Sequence, residues 1–276
     1  MAANLAKAGT ALLVHDAAGT QDRAPSAAAI ATSNESVARG AEVVVLSLPD
    51  GNIMQTVIAQ MAEAGERRVH TIIDTSTVGI AAAREAHRQL AAHGIEYLDA
   101  PVSGGASGAR NATIAVMFAG PDGAYERYAP LMAQTAAKVV HVGREPGMGQ
   151  AMKLLNNFLS GTALAATSEA ISFGESQGLD MATMLEVLNA STGRNTATDD
   201  KFPKRIIHGR YDAGFTSRLM EKDIRLYLSA VSAAGGEKTL ASTVHEMWRQ
   251  LENTEPNADV CRMYPFVRDG GVESEE

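Results

Sequence analysis

The chain has 276 residues, a formal net charge of −8 and a single cysteine. Net negative charge with seven scattered histidines offers no basic patch for a nucleic acid or an anionic membrane surface. The lone Cys261 excludes an intramolecular disulfide, a Cys-rich zinc site and a redox pair. No signal-peptide pattern and no run of about 18 apolar residues occur, so a cytoplasmic, non-membrane protein is expected.

The opening "MAANLAKAGTALLVHDAAG" reads as the end of a helix, a turn at Gly9 and an apolar strand that stops at Asp16. "VARGAEVVVLSLPDG" places a buried strand at 43–48 before a Pro49, Asp50, Gly51 turn. Further apolar runs end at Asp74 ("RRVHTIIDTST") and at Asp99 ("GIEYLDAPVSGG"), and two more follow in "ATIAVMFAGP" and "AAKVVHVG". Helical stretches such as "AAAREAHRQLAAHG" and "AYERYAPLMAQTA" separate most of them. Strands alternating with helices predict an α/β fold with a largely parallel, doubly wound sheet.

Strand signals cease after Gly143, and helices are predicted at 148–177, 181–190, after Asp199, at 217–234 and at 239–252. A boundary near Pro146 is expected, giving domains 1–146 and 147–276. The helix 148–177 is apolar almost all round, so burial on most faces and a role as the spine joining both domains are expected. The closing "GGVESEE" reads as a frayed acidic tail.

Several stretches contain residue types suited to chemistry. In "DAPVSGG", residues 99–105, a strand ends in a turn whose free amides could grip a carboxylate, although Asp, Pro, Ser and Gly also make ordinary turns. "EPGMGQAMKLLNN" puts two glycines before a helix and then Lys153, Asn156 and Asn157 on one face of it. A lysine there is either solvated at an edge or desolvated, and burial lowers an ammonium pKa toward the range useful for acid–base work.

Asp16 ends its strand without a following arginine. At that point of a dinucleotide-binding unit an acid binds the ribose hydroxyls and repels a 2′-phosphate, favouring NAD over NADP; the other reading is a turn aspartate. Phe215, Lys222 and Asp223 in "GFTSRLMEKD" read, in isolation, as ordinary helix entry and surface charge. "STGRN" reads as a solvated linker, with Arg194 the alternative partner for an anion, and "KFPKR" as a basic surface cluster. His15, His93 and His141 lack metal-ligand spacing, so no metal is expected.

Taken together and in this order, these stretches resemble the β-hydroxyacid dehydrogenase family, which includes 3-hydroxyisobutyrate dehydrogenase, tartronate semialdehyde reductase and, more distantly, 6-phosphogluconate dehydrogenase. "LSLPD" matches the family's Leu-Pro cofactor turn, "IDTST" its serine/threonine turn and "DAPVSGG" its substrate signature. Gly147, Gly149, Lys153 and Asn157 fit a G-x-G-x-x-x-K-x-x-x-N motif; Phe215, Leu219, Lys222 and Asp223 fit F-x-x-x-L-x-x-K-D.

The resemblance implies a Rossmann-type domain followed by an all-helical one, with the active site in the cleft between them. It implies that Ser103, Gly104 and Gly105 hold the substrate carboxylate, that Lys153 is the acid–base residue, and that Asn157 orients the substrate with help from Asn156. It also implies that Asp16, Leu48, Pro49, Ser76, Phe215 and Lys222 serve NAD. A small hydroxyacid or semialdehyde is the expected substrate, and a homodimer or homotetramer the expected assembly.

"MAANLAKAG" resembles the helix that follows the family's glycine-rich loop, so the first strand and the three fingerprint glycines are missing from these 276 residues. Without them an unfilled slot beside the strand ending at Asp16 and weakened dinucleotide binding are expected. The alternative to a dehydrogenase is then a catalytically impaired family member acting as an oligomeric or ligand-binding protein.

Overall fold

The computed structural model describes residues 1–272; the last four residues of the expected acidic tail lie outside the described residues. The chain divides into two compact units, Met1–Lys153 and a second beginning at Leu154.

The first unit opens with helix α1 (Ala2–Lys7), then strands β1 (Leu13–Val14) and β2 (Ala29–Ile30), which pair in parallel as a two-stranded sheet of their own. Helix α2 (Asn34–Gly40) starts where Ser33 Oγ accepts from the Ser36 amide. Strand β3 (Val43–Leu46) follows, then helix α3 (Gly51–Glu63). The expected turn at Asp50 is that helix's N-cap: its carboxylate accepts from the Ile53 amide at 2.9 Å.

Strand β4 (Thr71–Asp74), helix α4 (Ile80–Ala91) and strand β5 (Glu96–Asp99) complete a parallel set in which β4 lies between β3 and β5. All four residues of β4 are buried, Ile72 and Ile73 in the core and Thr71 and Asp74 with hydrogen bonds to Tyr128 and Tyr97. Strand β6 (Val102–Ser103), helix α5 (Gly105–Asn111), strand β7 (Ile114–Ala119), helix α6 (Asp122–Ala133) and strand β8 (Ala136–Gly143) follow. The order in the larger sheet is β3-β4-β5-β7-β6, with β8 parallel to β7.

The structure departs from the sequence reading at β5 and β6, on α7 and at "KFPKR". Both β5 and β6 run antiparallel to β7. Their registers are continuous, Asp99 opposite Ala119, Val102 opposite Val116 and Ser103 opposite Ala115, and the Met117 amide donates to the Pro101 carbonyl between them. The stretch 99–103 is therefore one extended segment interrupted by a proline that has no N–H to give. The turn expected throughout "DAPVSGG" is confined to Gly104 and Gly105, whose φ angles are 130° and 63°.

Helix α7 (Met148–Ser176) forms as expected, but it is not buried on most faces. Met148, Met152, Leu155, Leu159 and Phe173 are exposed. The near absence of charged residues, which suggested burial all round, instead leaves an apolar stripe in the open.

The second unit is helical: the rest of α7, α8 (Met181–Asn189), α9 (Phe202–Lys204) entered through a π-helical turn at Ala197–Lys201, α10 (Ser217–Ala233), α11 (Thr239–Thr254) and α12 (Met263–Arg268). Its core packs Leu164, Ile171, Phe202, Ile224, Leu251 and the fully buried Trp248. Phe158 of α7 stacks on Tyr227 of α10 with ring centroids 4.4 Å apart. The "KFPKR" stretch is not a surface patch. Phe202 is fully buried and the side chains of Lys201 and Arg205 are largely covered, both paired with Asp200.

Candidate active site

In the first unit, residues from five separate stretches meet at the start of α7. The Leu48 amide donates to Ser76 Oγ at 2.8 Å, joining the "LSLPD" and "IDTST" turns. Ser76 is itself held by its own amide, which donates to Asp74 Oδ1 at 2.9 Å, while Tyr97 donates its hydroxyl to the other carboxylate oxygen. Leu48 is half-buried and Pro49 exposed; Ser76 is buried.

Asp99 ends β5 and caps α7 from across the unit. Its two carboxylate oxygens accept from the Gly147 and Gln150 amides, each at 2.9 Å. These are among the amides that a helix start leaves without intrahelical partners. Burial pushes the Asp99 carboxyl up to about 6; the two amides and its own backbone N–H oppose the rise, and the Asp74 carboxylate adds to it. Gly149 sits between these bonds, where a Cβ would stand 2.6 Å from the Met117 carbonyl oxygen and 2.8 Å from Asp99 oxygens.

Gln150 is fully buried. Its Oε1 accepts from the Val78 and Gly79 amides at 2.9 and 3.1 Å, and its Nε2 donates to the Ser76 carbonyl at 2.9 Å. Lys153, one helical turn further, is only 7% exposed. Of the two readings open for this lysine, the structure takes the desolvated one.

The other expected residues of this unit lie as follows. Ser103 is half-buried at the end of β6, and Gly104 and Gly105 are exposed beside it. Asp16, just past β1, has its carboxylate on the Ala18 amide and paired at 2.8 Å with Arg23, whose hydrogen bond holds it below the usual carboxylate range. The arginine that is absent directly after Asp16 therefore arrives seven residues later.

In the second unit, Asn157 is buried and donates from Nδ2 to Asp223 Oδ2 at 2.6 Å, while Asn156 donates to Asn157 Oδ1 at 3.0 Å. Lys222 pairs with the other Asp223 oxygen at 3.3 Å. Phe215 is half-buried ahead of α10, its carbonyl accepting from the Val260 amide. Arg194 of "STGRN" is exposed and pairs with Asp199.

Sequence reasoning missed Asp99 and Gln150 as parts of this arrangement and left Asp223 without a role. A glutamine inside an apolar helix, next to a glycine pair, was the available signal for Gln150. Its partners, 71 to 74 residues away, could not be read from local spacing.

Comparison with known proteins places this geometry. Residues 1–143 match the model of the NAD binding domain of 6-phosphogluconate dehydrogenase, and residues 147–267 match that of the NAD-binding of NADP-dependent 3-hydroxyisobutyrate dehydrogenase. The chain is 32% identical to a probable 3-hydroxyisobutyrate dehydrogenase of Mycobacterium tuberculosis over 97% of this chain and 93% of that protein. The chain belongs to the β-hydroxyacid dehydrogenase family.

As a β-hydroxyacid dehydrogenase it is an NAD-binding oxidoreductase of the 3-hydroxyisobutyrate dehydrogenase type. It is also 33% identical to a 3-hydroxyisobutyrate dehydrogenase of Pseudomonas aeruginosa, over 97% of this chain and 94% of that one. The solved structure of the M. tuberculosis 3-hydroxyisobutyrate dehydrogenase with L-serine aligns with a TM-score of 0.87 at 29% identity, covering 97% of this chain and 94% of the other. That confirms the expected Rossmann-like sheet followed by helices. No helix among the described residues is long and apolar enough to cross a membrane.

Proposed function

We propose that this dehydrogenase interconverts a small 3-hydroxyacid and its semialdehyde with NAD, using Lys153 as the acid–base group, residues 1–146 for the dinucleotide and residues 147–276 for substrate and assembly. The single observation that carries the lysine's role is its burial, at 7% exposure, one turn beyond a helix start fixed by Asp99 and Gln150. An amine held on so rigid a frame loses little order on meeting substrate.

The residues present fit a dinucleotide. A carboxylate, Asp16, lies just past a parallel strand, and Leu48, Pro49 and Ser76 lie just past two others, which is where open α/β sheets bind their ligands. Asp16 would hold the adenosine ribose hydroxyls, with Leu48, Pro49, Ser76, Phe215 and Lys222 completing the cofactor set. When bound, the nicotinamide supplies the acceptor for the hydride that leaves the alcohol carbon.

The chain's own residues then handle the proton and the orientation. Ser103 and the amides of Gly104 and Gly105 take the substrate carboxylate. Neutral Lys153 Nζ accepts the hydroxyl proton as the carbon–oxygen double bond forms, and returns it in reduction. Asn157, one helical turn from Lys153 on the same face of α7, orients the hydroxyl, its amide fixed by Asp223 and Asn156. The L-serine of the M. tuberculosis neighbour, a carboxylate with a hydroxyl on the β-carbon, supports this substrate class.

We also infer a homodimer or homotetramer. The support is the open apolar stripe of α7, where Leu159 and Phe173 are 59% and 67% exposed, more than isolated surface residues explain.

The test of the lysine is Lys153→Met. Turnover with small 3-hydroxyacids is expected to fall about 10²- to 10⁴-fold, with far less change in NAD affinity by calorimetry. Near-normal turnover in the variant would remove Lys153 from the mechanism.

A further inference from the structure

The polar groups around the start of α7 form one connected path, and its centre is a residue to which the proposed chemistry gives no part. The Gln150 side-chain amide is bound at both ends to the same short turn: Oε1 accepts from both Val78 N and Gly79 N, and Nε2 donates to Ser76 O. Two N–H donors require the oxygen on one side and a carbonyl requires the NH₂ on the other, so the partners fix the amide's orientation. Three bonds to one turn leave the side chain no rotation, and full burial leaves no water to replace them.

The turn it grips is the one whose Ser76 hydroxyl accepts from the Leu48 amide. On the other side, the Gln150 backbone amide donates to Asp99 Oδ2. Residues at i and i+3 are neighbours on a helix surface, about one turn apart, so Lys153 moves with Gln150. Any shift of the turn 76–79 along or around the helix axis must be followed by the first turn of α7 or break three buried bonds.

We propose that Gln150 is a positioning residue that ties the placement of Lys153 to the turn 76–79, so that cofactor seated against Ser76 and Leu48 sets the lysine for proton transfer. This rests on the reading of Lys153 and Ser76 given above. Asp99 contributes the fixed end of the device and Gln150 the linkage.

The test compares the native chain with Gln150→Met, which keeps length and volume but makes none of the three bonds, and Gln150→Glu, assayed on the alkaline side, where the ionised carboxylate keeps the acceptor for Val78 and Gly79 but has no proton to donate to Ser76. Hydrogen exchange of residues 147–153 is measured with and without NAD. NAD is expected to slow exchange there about threefold or more in the native chain, not at all in Gln150→Met, and partly in Gln150→Glu. Turnover of Gln150→Met is expected to fall about tenfold or more while the hydroxyacid KM stays within about threefold. The double variant Gln150→Met/Lys153→Met should turn over no more slowly than Lys153→Met alone, because a group acting only through the lysine has nothing left to lose.

Equal NAD-dependent protection in native and Gln150→Met, no such protection in the native chain, or a further tenfold loss in the double variant would each overturn the proposal. Should Gln150→Met fail to show a native melting transition, Gln150→Glu decides, with unchanged protection and turnover overturning it. If Lys153→Met alone keeps its turnover, the lysine reading fails, and the exchange measurement still decides whether Gln150 links the turn to the helix.

Discussion

Asn157 and Asp223 are joined by a buried hydrogen bond of 2.6 Å, the asparagine Nδ2 donating to the carboxylate Oδ2 across 66 residues of sequence. A donor bound to a carboxylate forms one of the stronger hydrogen bonds, and here it sets the rotamer of the side chain proposed to orient the substrate. Asp223→Ala should therefore lower kcat/KM by about 10- to 100-fold, the equivalent of losing one charge-assisted bond. Asp223→Asn, which keeps an acceptor oxygen, should lose less. Steady-state kinetics of the two variants decide it, and equal, unimpaired values would show that Asn157 needs no such support.

On the proposed role of Asp16, its ion pair with Arg23 at 2.8 Å is expected to bear on the choice of dinucleotide. At the ribose, Asp16 would repel a 2′-phosphate and at the same time occupy the arginine that could bind one. Asp16→Ser removes the repulsion and releases Arg23, so the ratio of kcat/KM for NADP to that for NAD should rise about tenfold or more. Adding Arg23→Ala should take that gain away. An unchanged ratio in Asp16→Ser would place the ribose elsewhere.

Asp99 predicts a pH effect on stability. Its carboxyl is raised from 3.8 to about 6 in the folded chain, so the folded state binds this proton more tightly than the unfolded state. The stability it contributes is fully present below the unfolded value and is lost as pH rises through 3.8 to about 6. Asp99→Asn cannot titrate. The native chain's advantage over Asp99→Asn should thus shrink by about 3 kcal/mol at most between those limits, as urea denaturation at a series of pH values would show. A constant difference would mean that the amides of Gly147 and Gln150 offset the burial.

Two glycines at helix starts should respond in opposite ways to alanine. At Gly149 a Cβ meets backbone oxygens at 2.6 and 2.8 Å, and backbone cannot move aside as a flexible side chain can, so Gly149→Ala should destabilise by about 1 to 3 kcal/mol. At Gly123, in α6, a Cβ meets nothing within 4 Å, and Gly123→Ala should stabilise by about 0.4 to 1 kcal/mol by restricting the unfolded chain. Thermal melts of both variants test the pair.

Most of the larger sheet was legible in sequence because β4, β5 and β7 are largely buried and its longer strands sit in apolar runs that alternate with helical stretches. Strands β2 and β6 were not: at two residues each they carry no periodic signal. The antiparallel run of 99–103 beside β7 was hidden for a related reason, since Pro101 imitates a turn while its carbonyl still accepts from Met117. On α7, the scarcity of charge was legible but not which way each apolar residue faced, because burial depends on what packs against a helix and not on the helix alone.

The sequence by itself determined the family and the residue types of the candidate site. Lys153 and Asn157 lie four apart on a helix, Lys222 and Asp223 are adjacent, and "DAPVSGG" is contiguous, so local spacing was enough to find them. Only the tertiary structure decided that Lys153 is buried, that Asp223 holds Asn157, and that Asp99 and Gln150 fix the start of the helix between β5 and the turn 76–79. Those bonds join groups 48 to 74 residues apart, and hydrogen bonding at such separations is set by where packed strands and helices bring the backbone, which no local pattern encodes.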